Sequence, residues 1–167
     1  MDLSIVVPCY NEEDNVKLFY QEVLKIFKNK KIKYEIIFVN DGSKDRTAEK
    51  LNELVEQKQQ NIKVINFSRN FGKEAAMYAG LKETTGELVT IIDADLQQRP
   101  EIILRMIDIL QANKEYDSVA AYQEKRKEGK VLTFFKNCFY KLINSISTVP
   151  FVQGASDFRT LRRKVVD

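Results

Sequence analysis

The sequence predicts an α/β fold, a mostly parallel sheet flanked by helices, and three observations carry that prediction. Short apolar runs rich in β-branched and aromatic residues recur at residues 3–8, 34–39, 62–67, 88–92 and 117–122. Segments with apolar residues at helical spacing lie between them. Strands that alternate with helices are joined by right-handed crossovers, so the sheet is mainly parallel and covered on both faces. With 167 residues, the chain reads as one domain with a sizeable core.

Residues 3–8 form a buried first strand ended by Pro8. Asn11, Glu12, Glu13 and Asp14 then open a helix with a capping residue and first-turn acids, and Val16, Phe19, Tyr20, Val23, Leu24 and Phe27 form its buried stripe. The lysine-rich residues 28–33 close it as a solvated stretch. The second strand delivers Asn40, Asp41, Gly42 and Ser43 to its carboxyl end, where Ser43 or Asp45 caps the next helix. The third strand leads to a polar loop, residues 68–73, and an alanine-rich helix over 73–84 with Gly86 near its cap. Pro100 takes the first position of a fourth helix with Ile103, Met106, Ile107 and Leu110 inward. After the fifth strand comes a charged loop, residues 124–130. A helix follows with an apolar stripe of Val131, Phe135, Cys138, Phe139, Leu142 and Ile146, which packs as core, lies on a membrane surface or pairs two copies of the chain. Beyond Pro150 lie Gln153 to Arg159 and a basic, helical piece.

The fourth strand is the chemical centre. Leu88, Val89, Thr90, Ile91 and Ile92 run into Asp93, Ala94, Asp95, Leu96 and Gln97. On an extended backbone Asp93 and Asp95 share one side, and Gln97 follows them if the chain stays extended. Two carboxylates that close repel and persist best beside a cation, and hard oxygen ligands suit Mg²⁺ or Mn²⁺ with a substrate diphosphate. A solvated acidic turn would read the same way. Composition narrows the rest. A net charge of +3 makes no case for nucleic acid, and the absence of histidine removes Ser-His-Asp and Cys-His catalysis and the usual zinc ligands. Two cysteines, Cys9 and Cys138, in apolar surroundings read as reduced thiols in a cytosolic setting. No signal peptide and no apolar run of spanning length is present in this sequence. Ligands of open α/β sheets bind outside the carboxyl ends of the strands, where residues 8–12, 40–43 and 93–95 converge. A dinucleotide glycine fingerprint and a P-loop are both missing.

Five motifs in order, Val7-Pro8-Cys9-Tyr10-Asn11-Glu12, residues 40–47, residues 68–76, Asp93-Ala94-Asp95-Leu96-Gln97 and Ala155-Ser156-Asp157-Phe158-Arg159, resemble family 2 glycosyltransferases of the Rossmann-like GT-A fold. The resemblance is strongest to the branch that loads sugars onto polyprenyl phosphates, such as bactoprenol glucosyltransferases and dolichyl-phosphate mannose synthase. It implies an inverting displacement from a nucleoside diphosphate sugar, with a UDP-sugar favoured, at the cytoplasmic face of a membrane. It further implies that Pro8, Tyr10, Glu12 and Asp41 line the nucleoside pocket, and that Asp93 with Ala94 faces the sugar and diphosphate. Asp95 and Gln97 would hold Mg²⁺ or Mn²⁺, and Lys73 or Arg126 would offset charge on the leaving diphosphate. Asp157 is the candidate general base. A lipid phosphate has its second pKa near 6, so it is already anionic, and Asp157 is expected to orient the acceptor or the neighbouring Arg159.

Three residues depart from the branch pattern: Asn40 replaces a frequent Asp, Gln98-Arg99 replaces a common Asp-Pro, and Arg162 stands where an acid is frequent. Relatives continue into membrane helices after the position of Asp167, so residues 1–167 are expected to be a catalytic domain cut before them, with 124–167 acceptor- and membrane-proximal. The alternatives are a transferase with a hydroxyl acceptor, a non-catalytic nucleotide-sugar or membrane-interface module, and a phosphatase using Asp93 as nucleophile.

Overall fold

The structure is a computed structural model that describes residues 1–56, 61–122 and 155–167. In chain order its elements are β1 (Leu3–Cys9), α1 (Val16–Phe27), β2 (Tyr34–Asn40), α2 (Thr47–Glu56), β3 (Ile62–Asn66), α3 (Lys73–Lys82), β4 (Leu88–Ile91), α4 (Ile102–Ala112), β5 (Ser118–Tyr122), β6 (Ala155–Arg162) and a short α5 (Arg163–Val166). The strands form one sheet in the order β3-β2-β1-β4-β6-β5, with β1, β2, β3 and β4 parallel and β6 antiparallel to β4. Two compact units are distinguished, Met1–Val119 with Phe158–Asp167 and Ala120–Asp157.

Chain direction dictates the layering. The sheet grows from β1 through β2 to β3, and then β4 returns to the other side of β1. Right-handed crossovers place helices from opposite directions on opposite faces. Accordingly, Phe19 of α1 packs edge-on against Phe38, whereas Ala76, Met77 and Leu81 of α3 pack against Val6, Val39 and Ile91 on the opposite face. Gly80 lets α3 come this close, because a Cβ there would lie 2.4 Å from Val6 Cγ1. All seven residues of β1 are buried, as expected of a central strand covered twice.

Five features differ from the sequence-based expectation, each for a visible reason. β1 runs through Pro8 to Cys9. The Cys9 carbonyl accepts from Asp41 on the β2 side and the Val6 carbonyl from Ile92 on the β4 side. By alternation Pro8 turns its nitrogen toward β4, where the register ends at Val6 and Ile91, so no ladder bond is lost. α1 starts at Val16 without acids in its first turn, because the expected opening residues are engaged elsewhere. Asn11 adopts φ 56°, and Asn11, Glu12 and Glu13 donate backbone bonds to Ser43, Thr47 and Asp45. Pro100 opens a tight turn before α4 rather than its first helical position. Ala155–Arg162, not expected as a strand, is one, with Phe158 and Thr160 buried and Thr90 and Thr160 hydroxyls 2.8 Å apart, and the expected basic helix is confined to Arg163–Val166. Gly86 is no helix cap either: its amide donates to Ser4 Oγ, and a Cβ would strike the β1 backbone. The expected helix around residues 131–146, with its stripe and Cys138, lies outside the described residues.

Candidate active site

Strand order reverses between β1 and β4, so the crevice outside their carboxyl ends is where an open α/β sheet holds its ligand. A cavity of ≈ 330 Å³ is found there, lined by Pro8, Cys9, Tyr10 and Glu12 after β1, Asp41 after β2, Asn70, Gly72, Lys73 and Ala76 around the start of α3, and Asp93 and Asp95 after β4. Thus Pro8, Tyr10, Glu12, Asp41, Lys73, Asp93 and Asp95, all singled out in the sequence, are brought together. Asn70, Gly72 and Ala76 were not singled out, although they stand in the motif that follows β3.

The loops are tied to one another by their own side chains. Asp41 is buried, and its two oxygens accept the Phe71 and Gly72 amides at 2.7 and 3.0 Å. That bond pair holds the loop before α3 against the end of β2. Gly42, at φ 60°, makes room for it: a Cβ would lie 2.2 Å from the Arg69 carbonyl carbon and 2.5 Å from Asn70 N. Asn40 uses both ends of its amide, donating to Asn66 Oδ1 at 2.9 Å and accepting the Ser43 amide at 3.1 Å. An Asp at position 40 could not make that donation. On the other side Asp45 holds the start of α2 through Thr47; burial opposes its ionisation, and those bonds outweigh it and lower its pKa.

Asp93 and Asp95 line the same cavity, but the backbone does not stay extended past them. Leu96 adopts φ 57°, and the Gln97 amide donates to Asp95 Oδ1 at 3.0 Å. This turn leaves Gln97 exposed and off the cavity lining, and Ala94 is buried and off the lining as well. The cation beside the pair is Lys73, whose Nζ lies 2.7 Å from Asp93 Oδ1 and 2.9 Å from Oδ2. Burial, with the Glu12 and Asp93 carboxylates nearby, pushes the Cys9 thiol well above its ordinary range, so it is unsuited to nucleophilic work at neutral pH. On β6, Asp157 is exposed, and Arg159 stands opposite Ile91 in the register. Arg126 lies outside the described residues.

Among the described residues no group of three or more His, Cys, Asp or Glu side chains is arranged to hold a metal. Two carboxylates on one wall still fit Mg²⁺ or Mn²⁺, which keep waters and share their coordination with substrate phosphates.

Comparison with known proteins agrees with the geometry. An uncharacterised glycosyltransferase of Synechocystis sp. is 43% identical over 168 residues, covering 100% of this chain and 52% of the relative. The bactoprenol glucosyl transferase of Shigella phage SfX is 40% identical over 167 residues, covering 100% and 54%. The chain therefore spans about half the length of the curated relatives it matches. Among solved structures, glucosyl-3-phosphoglycerate synthase from Mycobacterium tuberculosis in complex with Mn²⁺, uridine diphosphate and phosphoglyceric acid superposes with a TM-score of 0.68 at 18% identity, covering 98% of this chain and 56% of that one, and so shares the GT-A fold. The profile of "Glycosyl transferase family 2" matches residues 4–167, and with a cavity of this composition at the switch point of a GT-A sheet, the chain belongs to glycosyl transferase family 2.

Proposed function

We propose that this chain is the donor-binding part of an inverting, metal-dependent transferase that moves a sugar from a UDP-sugar to a polyprenyl phosphate at the cytoplasmic face of a membrane. The observation that carries the reading is the convergence of Asp93, Asp95 and Lys73 in one cavity outside β1 and β4. Similarity to a bactoprenol glucosyl transferase supports the lipid acceptor, and the uridine diphosphate and Mn²⁺ of the structural relative support the donor and the ion. No described helix is long and apolar enough to cross a membrane.

In this reading Pro8 and Tyr10 present faces to the base, and Glu12 and the anchored Asp41 shape the nucleoside end of the cavity. Asp93 and Asp95 would hold the divalent ion, which when bound supplies Lewis-acid stabilisation of the departing diphosphate. Gln97 could join them only after the turn at Leu96 changes, because its side chain now stands off the cavity. Lys73, and Arg126 as a second cation, offset the charge that develops on the leaving group. The acceptor phosphate needs no deprotonation near neutral pH, which leaves Asp157 and Arg159 to orient it.

A thermal-shift panel of UDP, GDP and ADP with and without Mn²⁺ tests the donor assignment, since a ligand that binds only the folded chain raises its Tm. UDP with Mn²⁺ is expected to give the largest shift, and a panel in which no nucleoside diphosphate moves Tm would refute it. For the acceptor, transfer from UDP-glucose to a short polyprenyl phosphate is expected to survive Asp157→Asn at reduced rate and unchanged pH profile. Complete loss at every pH with donor and lipid still bound would contradict the orienting role.

A further inference from the structure

The Lys73 ammonium bridges both oxygens of Asp93, at 2.7 and 2.9 Å, and a divalent ion would need those same atoms. Building on the donor-site reading, we infer that Lys73 is a resident cation that keeps the metal off Asp93 until a diphosphate arrives, so that ion and nucleotide bind with positive coupling.

The argument starts from charge. Among the described residues, Glu12, Asp41, Asp93 and Asp95 line the cavity against the single ammonium of Lys73. Two carboxylates one residue apart repel each other, and Lys73 relieves that repulsion when nothing else is bound. A divalent ion arriving alone must displace an ammonium already paired with Asp93. A diphosphate changes the balance: it offers Lys73 a more highly charged partner and offers the ion further oxygen ligands. Once Lys73 turns to the phosphate, Asp93 Oδ1 is released to the ion, while Oδ2 keeps the long bond from Gln98 Nε2 at 3.4 Å.

The exchange demands little movement of the chain. Lys73 is the first residue of α3, and the Gly72 amide before it is fixed by Asp41. The backbone stays anchored while a four-carbon side chain swings. The pair is also partly open to water, with side chains 38% and 27% exposed for Lys73 and Asp93, and such pairs exchange partners at low cost. Coupling between two sites is reciprocal, so whatever factor nucleotide adds to ion affinity, the ion adds to nucleotide affinity.

The test is a titration of the intact chain with Mn²⁺, read by the electron paramagnetic resonance signal of the free aquo ion, without nucleotide and with saturating UDP. In the wild type UDP is expected to tighten Mn²⁺ binding by about 10-fold or more. Lys73→Met is expected to bind Mn²⁺ alone about 10-fold more tightly than the wild type and to gain less from UDP. Lys73→Arg keeps the charge and is expected to retain the wild-type suppression of metal-only binding. The side chain is partly exposed, and a melting curve on each variant confirms folding. The inference is overturned if Lys73→Met binds Mn²⁺ alone no more tightly than the wild type while UDP tightens both equally. A wild type that binds neither UDP nor Mn²⁺ in any combination would bring down the donor-site reading and this inference together.

Discussion

Glu35 is buried at the amino end of β2, the end away from the crevice, and it illustrates what a buried carboxylate needs. Its oxygens accept the Ser4 hydroxyl, the Thr85 amide and hydroxyl, and the Lys63 ammonium at 2.7 to 2.9 Å. Burial opposes its ionisation, and the bonds from Thr85, Ser4 and Lys63 outweigh that, lowering its pKa from 4.5 to about 2. A depressed carboxyl stabilises the fold above its unfolded pKa and loses that contribution as pH falls through the folded value. Glu35→Gln is therefore expected to cost about 2 kcal/mol at pH 7, with the gap to wild type closing between pH 4.5 and 2 in denaturant melts. A gap that stays constant across that range would assign the loss to packing instead. Gly42 makes a second prediction at this scale. A Cβ added there would meet backbone atoms of Arg69 and Asn70 within 2.6 Å, and φ is 60°, so Gly42→Ala should cost at least about 2 kcal/mol and weaken UDP binding, both readable by calorimetry.

At the scale of elements, Arg162 explains how the antiparallel strand is held. Its guanidinium donates to the carbonyls of Leu110, Asn113 and Tyr116, which satisfies the carboxyl end of α4 and meets the negative end of the helix. An acid at 162 would face those carbonyls, so the departure from the branch pattern has a structural reason. Arg162→Ala is expected to cost about 1 to 2 kcal/mol and to speed amide exchange in the last turn of α4 before the rest of that helix. Uniform protection along α4 in the variant would contradict the capping role. The elements legible in the sequence were those with apolar runs or helical spacing: β1 to β5 as strands, and α1 to α4 as the helices between them. Their ends were harder to read, because long-range bonds decide them. Asn11 and Glu13 look like a helix start until Ser43 and Asp45 claim them from 32 residues away. β6 was hidden for a related reason. Residues 155–159 carry no strand pattern of their own and the residues after them read as a basic helix, and only pairing with β4 makes Phe158 and Thr160 core residues.

For the whole molecule, topology does most of the work. Reversing the strand order between β1 and β4 opens one crevice, and each parallel strand ends beside it, so motifs far apart in sequence meet without any long loop. The candidate site was legible to that extent: the residue types and their strand ends were visible, and their meeting point followed from the fold class. Two features were not. The ion pair of Lys73 with Asp93 joins residues 20 apart across the crevice, and the turn at Leu96 that removes Gln97 from the lining depends on one backbone angle. Cys9 belongs to the same picture as an inert wall: its thiol is buried behind the carboxylates and should resist alkylation in the folded chain at pH 7 and react on unfolding. The most direct test of the central claim is calorimetric titration of UDP into the wild type and Asp95→Asn, with and without Mn²⁺. The account predicts that Mn²⁺ strengthens UDP binding to the wild type and that Asp95→Asn weakens the Mn²⁺-dependent binding by about 10-fold or more. UDP binding of equal strength in both proteins, indifferent to Mn²⁺, would contradict it.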